Sequence, residues 1–198
     1  FFRERSDVKS AVLGAALRLR ARAVSVASHI RLEVEGPQLH VRQQLDYRVA
    51  YEPLRALDLL VPRAVLDSGT LKILHAEQAL PFVEVTAADR PGEPAAVAAA
   101  GDRSARVQVD LLADRIGPLD VLLLYDWPAP APGLTGTSPA QVPLAAPVSG
   151  ADTVLTTSRL EIAPGLDAQV QLPGEGWERD ELSGQLEARE TYLSRSFP

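Results

Sequence analysis

Leu39, Val41, Gln43, Leu45, Tyr47, Val49 and Tyr51 share one parity of the stretch 39–51, and His40, Arg42, Gln44, Asp46, Arg48 and Ala50 take the other. Side chains in a strand alternate between faces, so this stretch presents an apolar, aromatic-bearing face and a charged one. A helix would scatter the same residues around its barrel. A long, half-buried antiparallel strand is the reading, and the surrounding chain repeats its grammar.

Upstream, Leu17, Leu19, Ala21 and Ala23 share a parity, and Val24, Val26, Ser28, Ile30, Leu32 and Val34 take the opposite one, a switch that a bulge or a strand break produces. Gly36-Pro37 then joins two alternating runs, the clearest hairpin in the chain. Pro53 is expected to close the long strand, and Leu57, Leu59 and Val61 to form the next, ended by Pro62, because proline lacks the amide a ladder needs. Asp67-Ser68-Gly69 predicts a turn, 71–75 a strand, His75-Ala76-Glu77-Gln78 a turn, and 80–85 another strand. Val107, Val109 and Leu111 resume the pattern, which turns near 115–118 and continues through Leu119, Val121, Leu123, Tyr125 and Trp127. Stretches 154–162 and 166–172 flank Pro164-Gly165 as a last hairpin, and 178–196 reads as a short helix or a strand.

Two segments break the rhythm. Residues 87–104 are rich in alanine, proline and glycine with nothing bulky to bury, and 128–140 carries Pro128, Pro130, Pro132 and Pro139; both read as long exposed loops. Stretch 141–148 contains Pro143 and Pro147, so it pairs only as an edge strand. Gln44-Leu45-Asp46-Tyr47 with Pro53 and Pro62 has an echo in Gln108-Val109-Asp110-Leu111 with Pro118 and Pro128, written either by duplication or by two unrelated hairpins of biased composition.

Roughly nine to eleven short strands, with no helical period between consecutive ones, predict an all-β fold. The expected form is an antiparallel β-sandwich of Ig-like or jelly-roll-like Greek-key type with two long Ala/Pro-rich loops. Residues 1–16 form a lead-in or short helix, 17–178 the β-sandwich, and 179–198 a charged C-terminal segment leading onward. Leu45, Tyr47 and Val49 are expected in one core with Val107, Val109, Val121 and Leu123.

Composition narrows the class. Hydrophobic residues make up 46% of the 198, which excludes a disordered chain and suffices for a core without staples. A net charge of -6 argues against a nucleic-acid binder, and Arg18, Arg20 and Arg22 at strand spacing read as one solvated face. Cysteine is absent, which removes disulfides and thiolate metal sites. No apolar run is long enough to span a bilayer as a helix. The bias toward alanine, arginine and proline is that of a GC-rich genome, and the first and last residues read as cuts within a longer polypeptide.

Candidate chemistry is sparse. A nucleophile elbow, a Walker loop and a dinucleotide fingerprint are missing from the sequence. His29 and His40 lie on the hairpin strands and could meet across it, with Glu33 as a third metal ligand, although solvated surface is the favoured reading. His75 sits beside Glu77 without further catalytic support. Asp110, Asp114, Asp120 and Asp126 could offer oxygens to a calcium ion, against a favoured reading of surface charge. Trp127, Tyr125 and Trp177 are the candidate ligand-binding residues, able to stack on a sugar if exposed and to cap the core if buried. No catalytic residue and no cofactor is assigned.

The expected function is therefore a non-catalytic structural or protein-interaction module of a larger bacterial envelope or secreted protein, periplasmic or extracellular, with neighbouring domains or subunits as partners. The alternative is a carbohydrate-binding module with a glycan partner, and a third reading is a hydrolase with a convergent acid/base pair. Exposed coplanar aromatics would favour the second. Converging ionisable groups in a pocket would favour the third.

Overall fold

A computed structural model describes residues 20–85, 103–128, 142–149, 152–162, 177–179 and 190–195, with the side chains of 34, 162, 177–179 and 190–195 excepted. The expected lead-in over 1–16, the parts of the two expected loops at 87–102 and 129–140, and the second arm of the last hairpin at 166–172 lie outside the described residues.

The chain is all-β. Its strands are β1 (Ala23–Glu35), β2 (Gln38–Pro62), β3 (Lys72–His75), β4 (Gln78–Ala79), β5 (Phe82–Val85), β6 (Ser104–Pro128), β7 (Ala146–Pro147), β8 (Thr153–Ile162), β9 (Trp177–Arg179) and β10 (Glu190–Arg195), with a single turn of helix, α1 (Arg63–Asp67), after β2. Hydrogen bonds join them into one sheet in the order β4-β3-β6-β2-β1-β8-β10-β9, with β5 added to β6 and β7 to β2. Among the described residues no helix is long and apolar enough to cross a membrane.

The predicted hairpin is β1–β2, turned at Gly36 with φ 59, a left-handed backbone that glycine adopts without strain. Its alternation holds: Val24, Val26, Ser28, Ile30 and Leu32 are buried on β1, and Leu39, Val41, Gln43, Leu45, Tyr47 and Val49 on β2. The 75–78 turn also forms, with Ala76 and Glu77 both at positive φ.

Two corrections concern β2 and β6. Neither ends at its central proline or turn; each runs 25 residues, and they pair antiparallel along their lengths in two ladders. The first ladder runs from Gln38↔Pro128 to Val49↔Gly117, and the second from Ala56↔Asp110 to Pro62↔Ser104, with a lone Leu54↔Arg115 pair between them. Pro53 sits in the gap between them, where no ladder amide is needed, so it interrupts pairing without ending the strand. The sequence echo thus falls on the two strands of one antiparallel pair.

A third correction concerns direction. The sheet is mixed, because β8 runs parallel to β1. Parallel partners need a long crossover, and nothing local in either strand announces it. The entry to β8 is pinned: Arg22 Nε donates to Asp152 Oδ2 at 2.7 Å, and the Val24 amide donates to the Asp152 carbonyl at 2.6 Å. Burial pushes the Asp152 carboxyl pKa up, but the hydrogen bonds from Arg22 and Thr153, with the Arg22 charge and a backbone hydrogen bond, hold the group below its ordinary value. The register then slips between Val26 and Ala27, leaving Thr156 as the extra residue, and its hydroxyl donates to the Val26 carbonyl at 2.8 Å. Thr156→Val keeps the shape but removes that donor, and is expected to cost about 1 kcal/mol in a urea melt. An unchanged midpoint would mean that solvent serves the carbonyl equally well.

One continuous cluster of buried side chains takes residues from both ladders, including Leu45, Tyr47, Val49, Val107, Val109, Val121 and Leu123 as expected. The segment before β7 crosses this cluster and explains its most conspicuous polar member. Gln43, almost fully buried, donates from Nε2 to the Ala145 carbonyl at 2.7 Å and to Ser28 Oγ at 3.1 Å. The predicted edge strand is therefore short, and Ala145 beside it is itself buried.

Candidate functional site

The gap between the two ladders is where the sequence pattern and the structure part most. Residues 50–53 of β2 and 111–114 of β6 leave the pairing together, and Tyr51 (φ 74), Leu112 (φ 63) and Gly117 (φ 89) turn left-handed there. For residues bearing a Cβ this conformation costs roughly 1–2 kcal/mol. At Leu112 it is held by Asp110, whose Oδ1 accepts the Leu112 amide at 2.8 Å. Arg55 lies 3.7 Å from Asp110 and 4.0 Å from Asp114, crossing the gap.

The consequence is exposure. Tyr51, Leu112 and Ile116 are 53%, 44% and 61% accessible, while Leu111 next to Leu112 is buried. The sequence pattern places Tyr51 on the buried parity; the left-handed turn two residues after the last first-ladder pair reverses that. Arg20 covers one side of the ring, its carbon 5.2 Å from the centroid, and donates to the phenol oxygen at 2.8 Å. Two signals in the sequence point here: Pro53 just after Tyr51, and the Leu111-Leu112 doublet, since adjacent strand residues cannot both face the core.

The residues singled out for ligand binding fall elsewhere. Tyr125 is buried, donates its hydroxyl to the Pro143 carbonyl at 2.7 Å, and has its pKa pushed up by burial, so its ring offers no open face to a sugar. Trp127 is half buried against the core, paired with Leu39. Trp177 begins β9, and its side chain lies outside the described residues.

The histidines lie on three strands, His29 on β1, His40 on β2 and His75 on β3. Register separates them: His29 lies opposite Gln44 and His40 opposite Glu33, four positions apart along β2, so they do not meet. Both meet carboxylates instead, His29 one and His40 two. His29 Nε2 is 3.4 Å from Asp46, His40 Nδ1 is 2.7 Å from Asp126, and His75 Nδ1 is 2.7 Å from the Asp120 carbonyl oxygen. The four aspartates considered for calcium are strung along β6, with Asp110 and Asp114 beside Arg55, Asp120 beside His75, and Asp126 beside His40. Among the described residues no three such groups gather closely enough to hold a metal ion.

Beside the β3–β4 turn, Leu74 and Leu122 floor a half-open depression of about 260 Å³, with Arg42, Gln44, Asp120 and Glu77 around it. Its lining is mixed in charge and assembles no nucleophile beside a base.

The fold and its surface define an all-β chain with an interrupted central strand pair. No protein-family model matches this chain, and a search of curated proteins finds no match.

Proposed function

We propose that the chain is a non-catalytic β-sandwich module of a larger bacterial envelope or secreted protein, and that it works by contact with a neighbouring domain or subunit. The observation that carries this reading is the exposure of Tyr51, Leu112 and Ile116 at the coincident interruption of β2 and β6. Strained backbone persists where something else requires it, and function is a frequent requirement. Large apolar side chains raised together out of a polar surface suit a protein contact.

The rim supports the choice of partner. Arg55, Asp110, Asp114, Arg115 and Glu52 bring both signs of charge around the apolar centre. The surface that fits them is a protein face with an apolar middle and a mixed-charge border. The sandwich form is supported by the single core drawn from both ladders and by the Gln43 bond to the segment that enters β7. The bacterial origin rests on composition, and the envelope placement on the all-β pattern and proline-rich segments.

Hydrogen exchange tests the reading by comparing this chain alone with the longer polypeptide. The amides of 50–55 other than Pro53 and those of 111–116 are expected to slow in the longer protein, and Leu112→Asp with Ile116→Asp should abolish the slowing while leaving exchange in β1 unchanged. Equal exchange in both contexts would overturn the contact reading. A shift in tryptophan emission with one member of a panel of soluble polysaccharides, lost in Trp127→Ala, would favour the carbohydrate-binding alternative instead.

A further inference from the structure

His40 stands between two carboxylates drawn from different parts of the chain. Its Nδ1 is 2.7 Å from Asp126 Oδ1 on β6, and its Nε2 is 3.4 Å from Glu35 Oε2 at the end of β1. A neutral imidazole carries one N–H and can donate to only one of them. The imidazolium carries two and can donate to both.

The two partners lie on the strands that flank β2 on either side. Glu35 precedes Gly36 and Pro37, the turn of the β1–β2 hairpin. Asp126 is fixed from its other side: its amide donates to Thr70 Oγ1 at 3.2 Å, and Ser68 Oγ lies 2.9 Å from that same hydroxyl. The residue that receives the histidine is thereby tied to the stretch between α1 and β3.

We propose that His40 is a proton-operated clamp that holds the 35–38 turn to the end of β6 when its ring carries both protons and slackens when one is lost. The charged groups near it come from four strands. Glu35 and Glu33 lie on β1, with Arg31 bonded to Glu33; Arg42 lies on β2, two positions from His40 on the same face; Asp126 lies on β6; and Lys72 lies on β3 opposite Leu124, two positions from Asp126. Two carboxylates, those of Asp126 and Glu35, reach the ring itself.

The direction of the effect follows. The hydrogen bond that the ring donates to Asp126 raises its pKa above the ordinary 6.5; burial opposes this, and the charges of Asp126 and Glu35 add to it. A group whose pKa is higher folded than unfolded stabilises the fold fully below its unfolded value, and that contribution is lost as pH climbs through the folded one. The clamp is closed in mild acid and slack in base.

Nuclear magnetic resonance of the whole chain tests this, following the His40 ring titration together with protection factors for the Glu35, Gly36 and Gln38 amides. Protection is expected to fall roughly two- to fivefold as pH rises, the range an exposed charge pair supports, with a midpoint that tracks the ring. Asp126→Asn should bring the ring's midpoint down. Glu35→Gln should leave most of the shift but uncouple the turn, and His40→Gln should leave turn protection low and flat. All three sit on the solvent-facing side, and unchanged circular dichroism will show that each is folded. Turn protection that ignores pH in the wild type, or that changes equally in His40→Gln, overturns the clamp.

Discussion

Val49→Asp is expected to unfold the chain or come close to it, while its neighbour Arg48→Asp shifts the melting midpoint only slightly. Val49 is 3% exposed and ends the first ladder opposite Gly117, so an aspartate there places a carboxylate in the core cluster with no cation beside it. Burying an unpaired charge belongs to the small set of changes that cost upward of about 4 kcal/mol, a large share of the roughly 5–15 kcal/mol that holds a typical domain together. Arg48 points to the opposite, solvated face. Its replacement adds a negative charge two register positions from Asp46 and Asp120, worth less than about 1 kcal/mol in high dielectric. Thermal melts followed by circular dichroism decide it, and equal midpoints would show that the facing is wrong.

The second large effect is expected at Arg106. Its guanidinium donates to Asp58 Oδ2 at 2.7 Å, and the two side chains are only 9% and 22% exposed. Both lie on the second ladder, where Arg106 pairs with Leu60 and Asp58 with Gln108, so the bond runs diagonally between neighbouring strands. Arg106→Met retains the aliphatic stem but removes the cation from beside a carboxylate that is largely out of water. A loss of about 2–4 kcal/mol follows, because a carboxylate largely out of water loses a charge-assisted hydrogen bond. Replacing both members, as Asp58→Leu with Arg106→Met, should recover most of it, because an apolar pair needs no counter-ion. Urea melts of the two singles and the double complete the cycle. A double variant as weak as the sum of its singles would mean that the ion pair is not the reason for the loss.

Much of the fold was legible because alternation is a local signal. Leu39 to Val49 and Val24 to Leu32 bury the residues their parity assigns, and the Gly36 and 75–78 turns lie where short-range chemistry places them. Pro53 and the 115–118 stretch misled, because a proline marks a place without a ladder bond and is silent on whether the strand resumes in the same direction. The parallel seat of β8 was invisible for another reason: it depends on a partner about 130 residues away, and neither strand carries a mark of it. The candidate site was the least legible part. Tyr51 keeps the buried parity in the sequence and loses it only because β6 leaves the ladder opposite, a fact written in a different strand. Tyr125 and Trp127 drew attention as large aromatics, but size predicts burial as readily as binding.

That distant seat for β8 also sets an order of assembly. On the ribosome, β1, β2 and their β6 partner are complete well before residues 153–162 emerge, so the β1 edge waits with its amides and carbonyls unpaired. An open edge on a long strand invites pairing with another nascent chain. Polar and charged residues along β1, among them His29, Arg31 and Glu33, make that edge a poor template for a like copy during the wait. A chain cut short before 153 would keep the edge bare for good, and its characteristic failure would be aggregation through β1.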